Sequence, residues 1–275
     1  MKIDSISVCI PFYETHDLTR ILLDKIVNIS FVSEIIVVDD CSKVKFQYNN
    51  PKVTIFYNTK NLGAYRNKFV TVSKSNNEWL LLLDSDNEIN DEFFIEIKKF
   101  FNFDKNVFYL PKKLKLDSIS GYGKELDQTS MEYDFEDDIF DLDKASQYLK
   151  KGISKIEWML NTGNFIVNKD TYLATAQKTF QSNKSKYIDC DALVFSYQWL
   201  MRGNKIQLMP FYHTTHRLRE YSWTNTAKNN WASQKYHIFL IKNKGRYGYI
   251  YLISIKFNSC INYLKNIIKK LINYG

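Results

Sequence analysis

From Tyr221 to Gly275 there is no aspartate or glutamate, although nine lysines and arginines fall in that stretch. Cysteine is scarce as well. Cys9, Cys41, Cys190 and Cys260 lie far apart with no metal-ligand spacing, and the first two belong to strand-end patterns. Neither a zinc module nor a disulfide framework is expected from them. No window of about 18 residues is both apolar and uncharged, which excludes a membrane-spanning helix. Met1-Lys2-Ile3-Asp4-Ser5 leads straight into a strand-like run, without the apolar core of a secretion signal. The expectation is a reduced, cytoplasmic protein. Internal repeats of about 20–50 residues and low-complexity linkers are missing too.

The missing acids change how the net charge of +8 reads. Residues 1–220 carry 29 basic against 30 acidic side chains, and Asp117–Asp143 holds ten acids against Lys124 alone. A whole-chain surplus of this size suggests nucleic acid. Its distribution describes one basic tail and one acidic insert instead, and no nucleic-acid partner is expected. With 45% hydrophobic residues in 275, there is enough apolar material for one large domain and a small appendage.

The apolar residues are ordered. Trp79-Leu80-Leu81-Leu82-Leu83 has no polar alternation and reads as a strand buried on both faces. Shorter strands are expected at Ile6–Ile10 (stopped by Pro11), Glu34–Val38, Val53–Tyr57, Val107–Leu110 (closed by Pro111) and Ile206–Met209 (stopped by Pro210). Helical patterns separate them over residues 17–29, after Gly63, over Asp91–Phe101, and from Leu193 to Met201 with Gly203 as C-terminal cap. The acidic stretch reads as a mobile excursion, and Trp158–Val167 as extended structure bent at Asn161-Thr162-Gly163-Asn164. Strands alternating with helices predict an α/β fold with a mainly parallel sheet and right-handed crossovers.

In such sheets ligands collect at the carboxyl ends of the strands. Asp84 and Asp86, one residue apart where the leucine strand ends, suit Mg²⁺ or Mn²⁺ completed by phosphate oxygens. Pro11-Phe12-Tyr13-Glu14, Asp39-Asp40 and Asp84-Ser85-Asp86 should meet on one rim. Tyr13 offers a ring for a base to stack on, and Asp40 can accept a base N–H. Arg66, on the helix after Gly63, is placed to approach as a phosphate or carboxylate partner. The set is a nucleotide-plus-metal site without a glycine-rich phosphate loop.

Four motifs in register, Ser7–Glu14, Ile35–Ser42, Asn61–Asn67 and Leu82–Asp86, carry a resemblance to the family-2 glycosyltransferases of the GT-A type. Cys41 stands where that family commonly has glycine or asparagine. The resemblance covers roughly residues 6–100. It implies a GT-A (Rossmann-like) fold and a nucleotide-sugar donor, a UDP-sugar being favoured. Tyr13 and Asp40 then lie at the base, Arg66 near base or ribose, and Asp84 and Asp86 at ribose and metal. Pro11, Glu14, Asp39, Gly63 and Ser85 complete the donor site. Further on, Asp189-Cys190-Asp191 resembles the family's acidic segment opening a helix. Asp191, 12 residues before Gly203, is the expected base that deprotonates an acceptor hydroxyl, with Asp189 second. A late histidine, His216 before His213, is implied at the metal or pyrophosphate.

The expected organisation is a glycosyltransferase domain over 1–226 and a helical, basic extension over 227–275. Within the domain, 1–111 form the nucleotide-binding half and 112–226 the acceptor half, with the insert at 117–143. The implied reaction moves a sugar, with inversion, to a glycan, lipid-linked or protein hydroxyl. Ile261, Leu264, Ile268, Leu271 and Ile272 share one helical face in the tail. That face either docks on the domain, contacts a membrane surface peripherally, or accompanies a pairing of tail with acidic insert, within a protomer or across a homodimer. Two rivals stay open: a nucleotidyltransferase of similar topology, and a non-catalytic nucleotide-sugar or polyanion-binding protein.

Overall fold

The computed structural model describes residues 4–100, 103–118, 130–150, 154–182 and 191–218. All of these fall within one compact unit, Met1–Thr226. The extension expected over 227–275 lies outside the described residues, as does Asp189.

The first half alternates as expected. Strand β1 (Ile6–Phe12) leads into helix α1 (His16–Ile26), β2 (Val32–Asp39), β3 (Val53–Tyr57), α2 (Ala64–Ser73) and β4 (Trp79–Leu82). These four strands pair in parallel, in the spatial order β3-β2-β1-β4. Every residue from Trp79 to Leu83 is buried, because β4 lies between β1 and a later strand with side chains covered on both faces. That is why the run tolerates no polar alternation; each buried leucine contributes about 1.5–3 kcal/mol.

Beyond β4 come a short β5 (Glu88–Ile89), α3 (Asp91–Glu96) with a 3-10 turn at Ile97–Lys99, β6 (Val107–Ser118), β7 (Ser130–Glu132) and β8 (Ile139–Phe140). Then follow α4 (Leu142–Lys150), α5 (Ser154–Leu160), β9 (Phe165–Asn168), α6 (Lys169–Ser182), α7 (Asp191–Met201) and β10 (Lys205–Leu218). The sheet continues from β4 as β9-β6-β10-β5, with β7 on β6 and β8 on β10. β6 and β10 run parallel, while β9 is antiparallel to both β4 and β6. The whole is the expected GT-A-type α/β sheet with helices against it, parallel in its first half and mixed in its second.

Three prolines do not end their strands as expected. Pro11 lies inside β1, Pro111 inside β6 and Pro210 inside β10. β1 pairs with β4 only through Cys9, and the missing N–H of Pro11 faces that side, past the last partner. Pro210 falls within a register shift between Met209 and His213, opposite the segment that begins at Pro111. A bulge is where a strand can accommodate a residue with no donor.

The acidic stretch is also more ordered than expected in its described part. β6 runs on to Ser118, β7 folds back on it, and β8 pairs with β10. Trp158 lies inside α5 instead of opening extended structure. Ile156, Met159 and Leu160 are buried at helical spacing, which decides that segment.

Candidate active site

The order β2-β1-β4 brings three strand ends side by side. Phe12 pairs with Asp39, and the Phe12 carbonyl accepts the Asp40 N–H at 2.9 Å. Tyr13, just past β1, is 47% exposed, while Pro11 beside it is half-buried. Glu14 and Cys41 both adopt left-handed backbone, with φ of 54° and 63°, a conformation uncommon outside glycine. The two loops that hold them are stitched together. Glu14 N–H donates to Ser42 Oγ at 3.1 Å, and Lys43 N–H to Glu14 Oε1 at 2.8 Å.

Asp39 and Asp40 have separate tasks. Asp39, buried, accepts the N–H groups of Ser42 and Phe46 at 2.8 and 3.1 Å and so closes the loop after β2. Asp40 accepts from Asn58 Nδ2 at 2.9 Å, Leu62 N at 2.8 Å and Gly63 N at 2.9 Å. Burial pushes its carboxyl above the ordinary value despite these donors. Of about four lone-pair positions on a carboxylate, three are thus in use to fix the turn that opens α2. Gly63 supplies the positive φ of 82° that this turn requires.

At the end of β4 the side chains alternate. Ser85 is buried, bonded to Thr15 Oγ1 at 2.7 Å, and its carbonyl accepts the Thr19 hydroxyl. It anchors the turn to α1. Asp84 and Asp86, on the other side, are half-buried. Neither is a helix cap, since α3 starts from Asn90. The Asp84 N–H donates to Asn164 Oδ1 at 2.8 Å, so the bend at Asn161–Asn164 holds the turn from behind.

A basic residue that reaches this rim is Lys68. Its Nζ is 2.8 Å from Asp84 Oδ1 and 2.8 Å from Asp191 Oδ2. Lys68 is buried. Burial pushes the ammonium down, but the carboxylates of Asp191 and Asp84 outweigh it and hold the group above its ordinary value. Arg66 stacks on α6, its guanidinium 4.7 Å from the Phe180 ring centroid. The signal for Lys68 was available: it falls in helical register with Tyr65 and Val72 on the buried face of α2. A lysine on such a face is almost always paired.

Asp191 is the first residue of α7. His213 joins neither aspartate: its Nε2 meets the Pro210 carbonyl at 2.9 Å and its N–H donates to Asn90 Oδ1. His216 follows three residues on in β10, one past Thr215, which pairs with Glu88; its side chain is outside the described residues. Among the described residues no three His, Cys, Asp or Glu side chains converge to hold a metal. The donor set is the carboxylates of Asp84, ion-paired to Lys68, and Asp86. That fits a hard cation held by one or two carboxylates and substrate phosphates, and not a cage made of protein alone.

A family model for glycosyl transferase family 2 matches residues 7–144, which spans β1 to β8 and both aspartates of the turn. The chain belongs to glycosyl transferase family 2. Asp191 lies beyond the matched segment of this family-2 chain. Solved structures share the fold at low identity. One is Staphylococcus aureus TarS, residues 1–349, in complex with UDP-GlcNAc (17% identity, TM-score 0.55, 88% of this chain and 68% of that one). Another is GalNAc-T7 with UDP, GalNAc and Mn²⁺ (12% identity, TM-score 0.54, 86% and 48%). The chain therefore spans about half the length of the GalNAc-T7 chain. No curated protein matches the sequence significantly.

Proposed function

We propose that the protein transfers a sugar, with inversion, from a nucleoside-diphosphate sugar to a hydroxyl acceptor in a metal-dependent reaction. The observation that carries this is the meeting of Asp84, at the end of β4, with Asp191, at the start of α7, on the single ammonium of Lys68. A donor motif and a candidate base, 107 positions apart in sequence, share one site in a family-2 fold. UDP-GlcNAc in TarS and UDP with Mn²⁺ in GalNAc-T7 favour a UDP-sugar and a divalent cation.

Tyr13 offers its exposed ring to the base, and Asp40 keeps one acceptor position for a base N–H. Asp86, with Asp84, is the residue to hold Mn²⁺ or Mg²⁺. When bound, the cation supplies charge neutralisation for the departing diphosphate. Asp191 takes the proton from the acceptor hydroxyl as it attacks, be that hydroxyl on a glycan, a lipid-linked sugar or a protein. The test is a thermal-shift panel of nucleotide sugars with and without Mn²⁺, followed by turnover of the donor that stabilises. A Mn²⁺-dependent shift with one UDP-sugar, and slow release of UDP from it, are expected. Binding without any turnover assigns the protein to the non-catalytic class.

A further inference from the structure

We propose that Lys68 is a positioning residue: it fixes the distance between donor motif and base, and so sets where an acceptor hydroxyl can stand. The proposal rests on the glycosyltransferase reading above. Both carboxylate oxygens are 2.8 Å from the same nitrogen, so they are no further apart than twice that distance, 5.6 Å. A lysine ammonium is a compact point donor on a flexible stem, and here that one point draws two carboxylates together.

Its surroundings leave it no other task. A cavity of about 10 Å³ adjoins Lys68 and Asp191, walled by Tyr65, Phe165, Tyr172 and Phe195. That is room for a single water at most. On another side, a methyl group added at Gly163 would sit 3.0 Å from the Lys68 nitrogen. Among the described residues the ammonium is thus enclosed, and Asp84 and Asp191 are the groups through which donor and acceptor act on it. Lys68 and its two partners belong to three elements, α2, the end of β4 and α7, so the ammonium sets the spacing of all three at one point.

Two double-variant cycles test this. In the first, Lys68→Met and Asp191→Asn are compared with their combination for turnover of the donor found in the thermal panel. Each single change should lower kcat by about 10²–10³-fold, and the combination by no more than about threefold further, because Lys68 acts through Asp191. The KM for donor should rise in Lys68→Met, through the released Asp84, and stay unchanged in Asp191→Asn. Independent, multiplying effects on kcat would overturn the proposal.

The second cycle needs no donor. Lys68→Met should lower the Tm by about 10 °C, and adding Asp191→Asn should restore part of that loss, since it removes one of the stranded charges. A double variant no more stable than Lys68→Met shows that the bridge does not hold Asp191. Should Lys68→Met not fold, Lys68→Arg decides. It keeps the charge but spreads it over a planar fork, so donor affinity should survive while kcat falls at least tenfold. Wild-type kcat in Lys68→Arg means that any buried cation serves, and the positioning role fails. A wild-type protein without turnover on any donor overturns the function, while the unfolding cycle still reads the bridge.

Discussion

At Gly163 a methyl group would lie 2.2 Å from Asp84 Oδ2, closer than any side chain tolerates. Gly163→Ala must therefore move the Asp84 carboxylate or the bend that carries Asn164. Overpacking of this kind costs about 1–3 kcal/mol. The expected outcome is a modest fall in Tm, with a far larger loss of donor affinity in a titration with UDP and Mn²⁺. Asp86→Ala acts on the same turn. It should abolish transfer and Mn²⁺-dependent donor binding while the circular dichroism spectrum stays that of a folded protein; near-wild-type turnover in that variant would remove the basis for a metal at this turn. These residues differ in how legible they were. Asp84 and Asp86 announce themselves because two carboxylates follow an apolar strand. Gly163 and Asn164 do not, because each matters through Asp84, far back along the chain; the sequence marks Lys68 as a lysine on a buried face but not its partner Asp191, 123 positions on. Arg66 was the natural choice from sequence; a helix turns about 100° per residue, so Arg66, stacked on Phe180, and Lys68, two positions on, point to different sides of α2.

Among elements, the parallel block β1 to β4 was readable from hydrophobic periodicity alone, since buried strands and crossover helices leave different periods. Its closing contact is at the other end from the site. Glu34 on β2 accepts from Ser7 Oγ at 2.6 Å, Asn76 N at 2.5 Å and Asn76 Nδ2 at 2.7 Å. Burial pushes its carboxyl up, but these hydrogen bonds more than offset that and hold it below the ordinary 4.5. A carboxyl depressed in the folded state contributes stability that is complete above about pH 4.5 and lost as pH falls through the lower folded value. Glu34→Gln should therefore lose about 1 kcal/mol at pH 7, and the gap to wild type in urea midpoint should close as the pH is lowered below 4.5. A constant gap from pH 7 to 3 would assign the effect to shape and not charge. The second half was harder to read. Its strands run through prolines, and a bulge in β10 hides where pairing resumes; no local residue pattern marks a register that only the neighbouring strand defines.

On the scale of the whole molecule, charge is segregated: the tail from Tyr221 onward has nine basic residues and no acid. No helix among the described residues is long and apolar enough to cross a membrane. Co-sedimentation with liposomes measures what the tail does. Binding to anionic and not neutral vesicles, weakened by salt and lost on deleting residues 258–275, is the outcome for a surface-seeking tail. Insolubility of the truncated protein, with no vesicle binding by the intact one, places the apolar face against protein. The Lys68 bridge has a further consequence, in time instead of space. Lys68 and Asp84 are both made before residue 100 and belong to the parallel block, whereas Asp191 is synthesised 107 residues after Asp84. At translation rates of about 5–20 residues per second, that interval lasts on the order of 5–20 s. During it the Lys68–Asp84 pair is already charge-balanced, and the later arrival of Asp191 turns the cluster net negative. The reaction centre is thus completed in two stages, the second when α7 docks, with β10 still to follow.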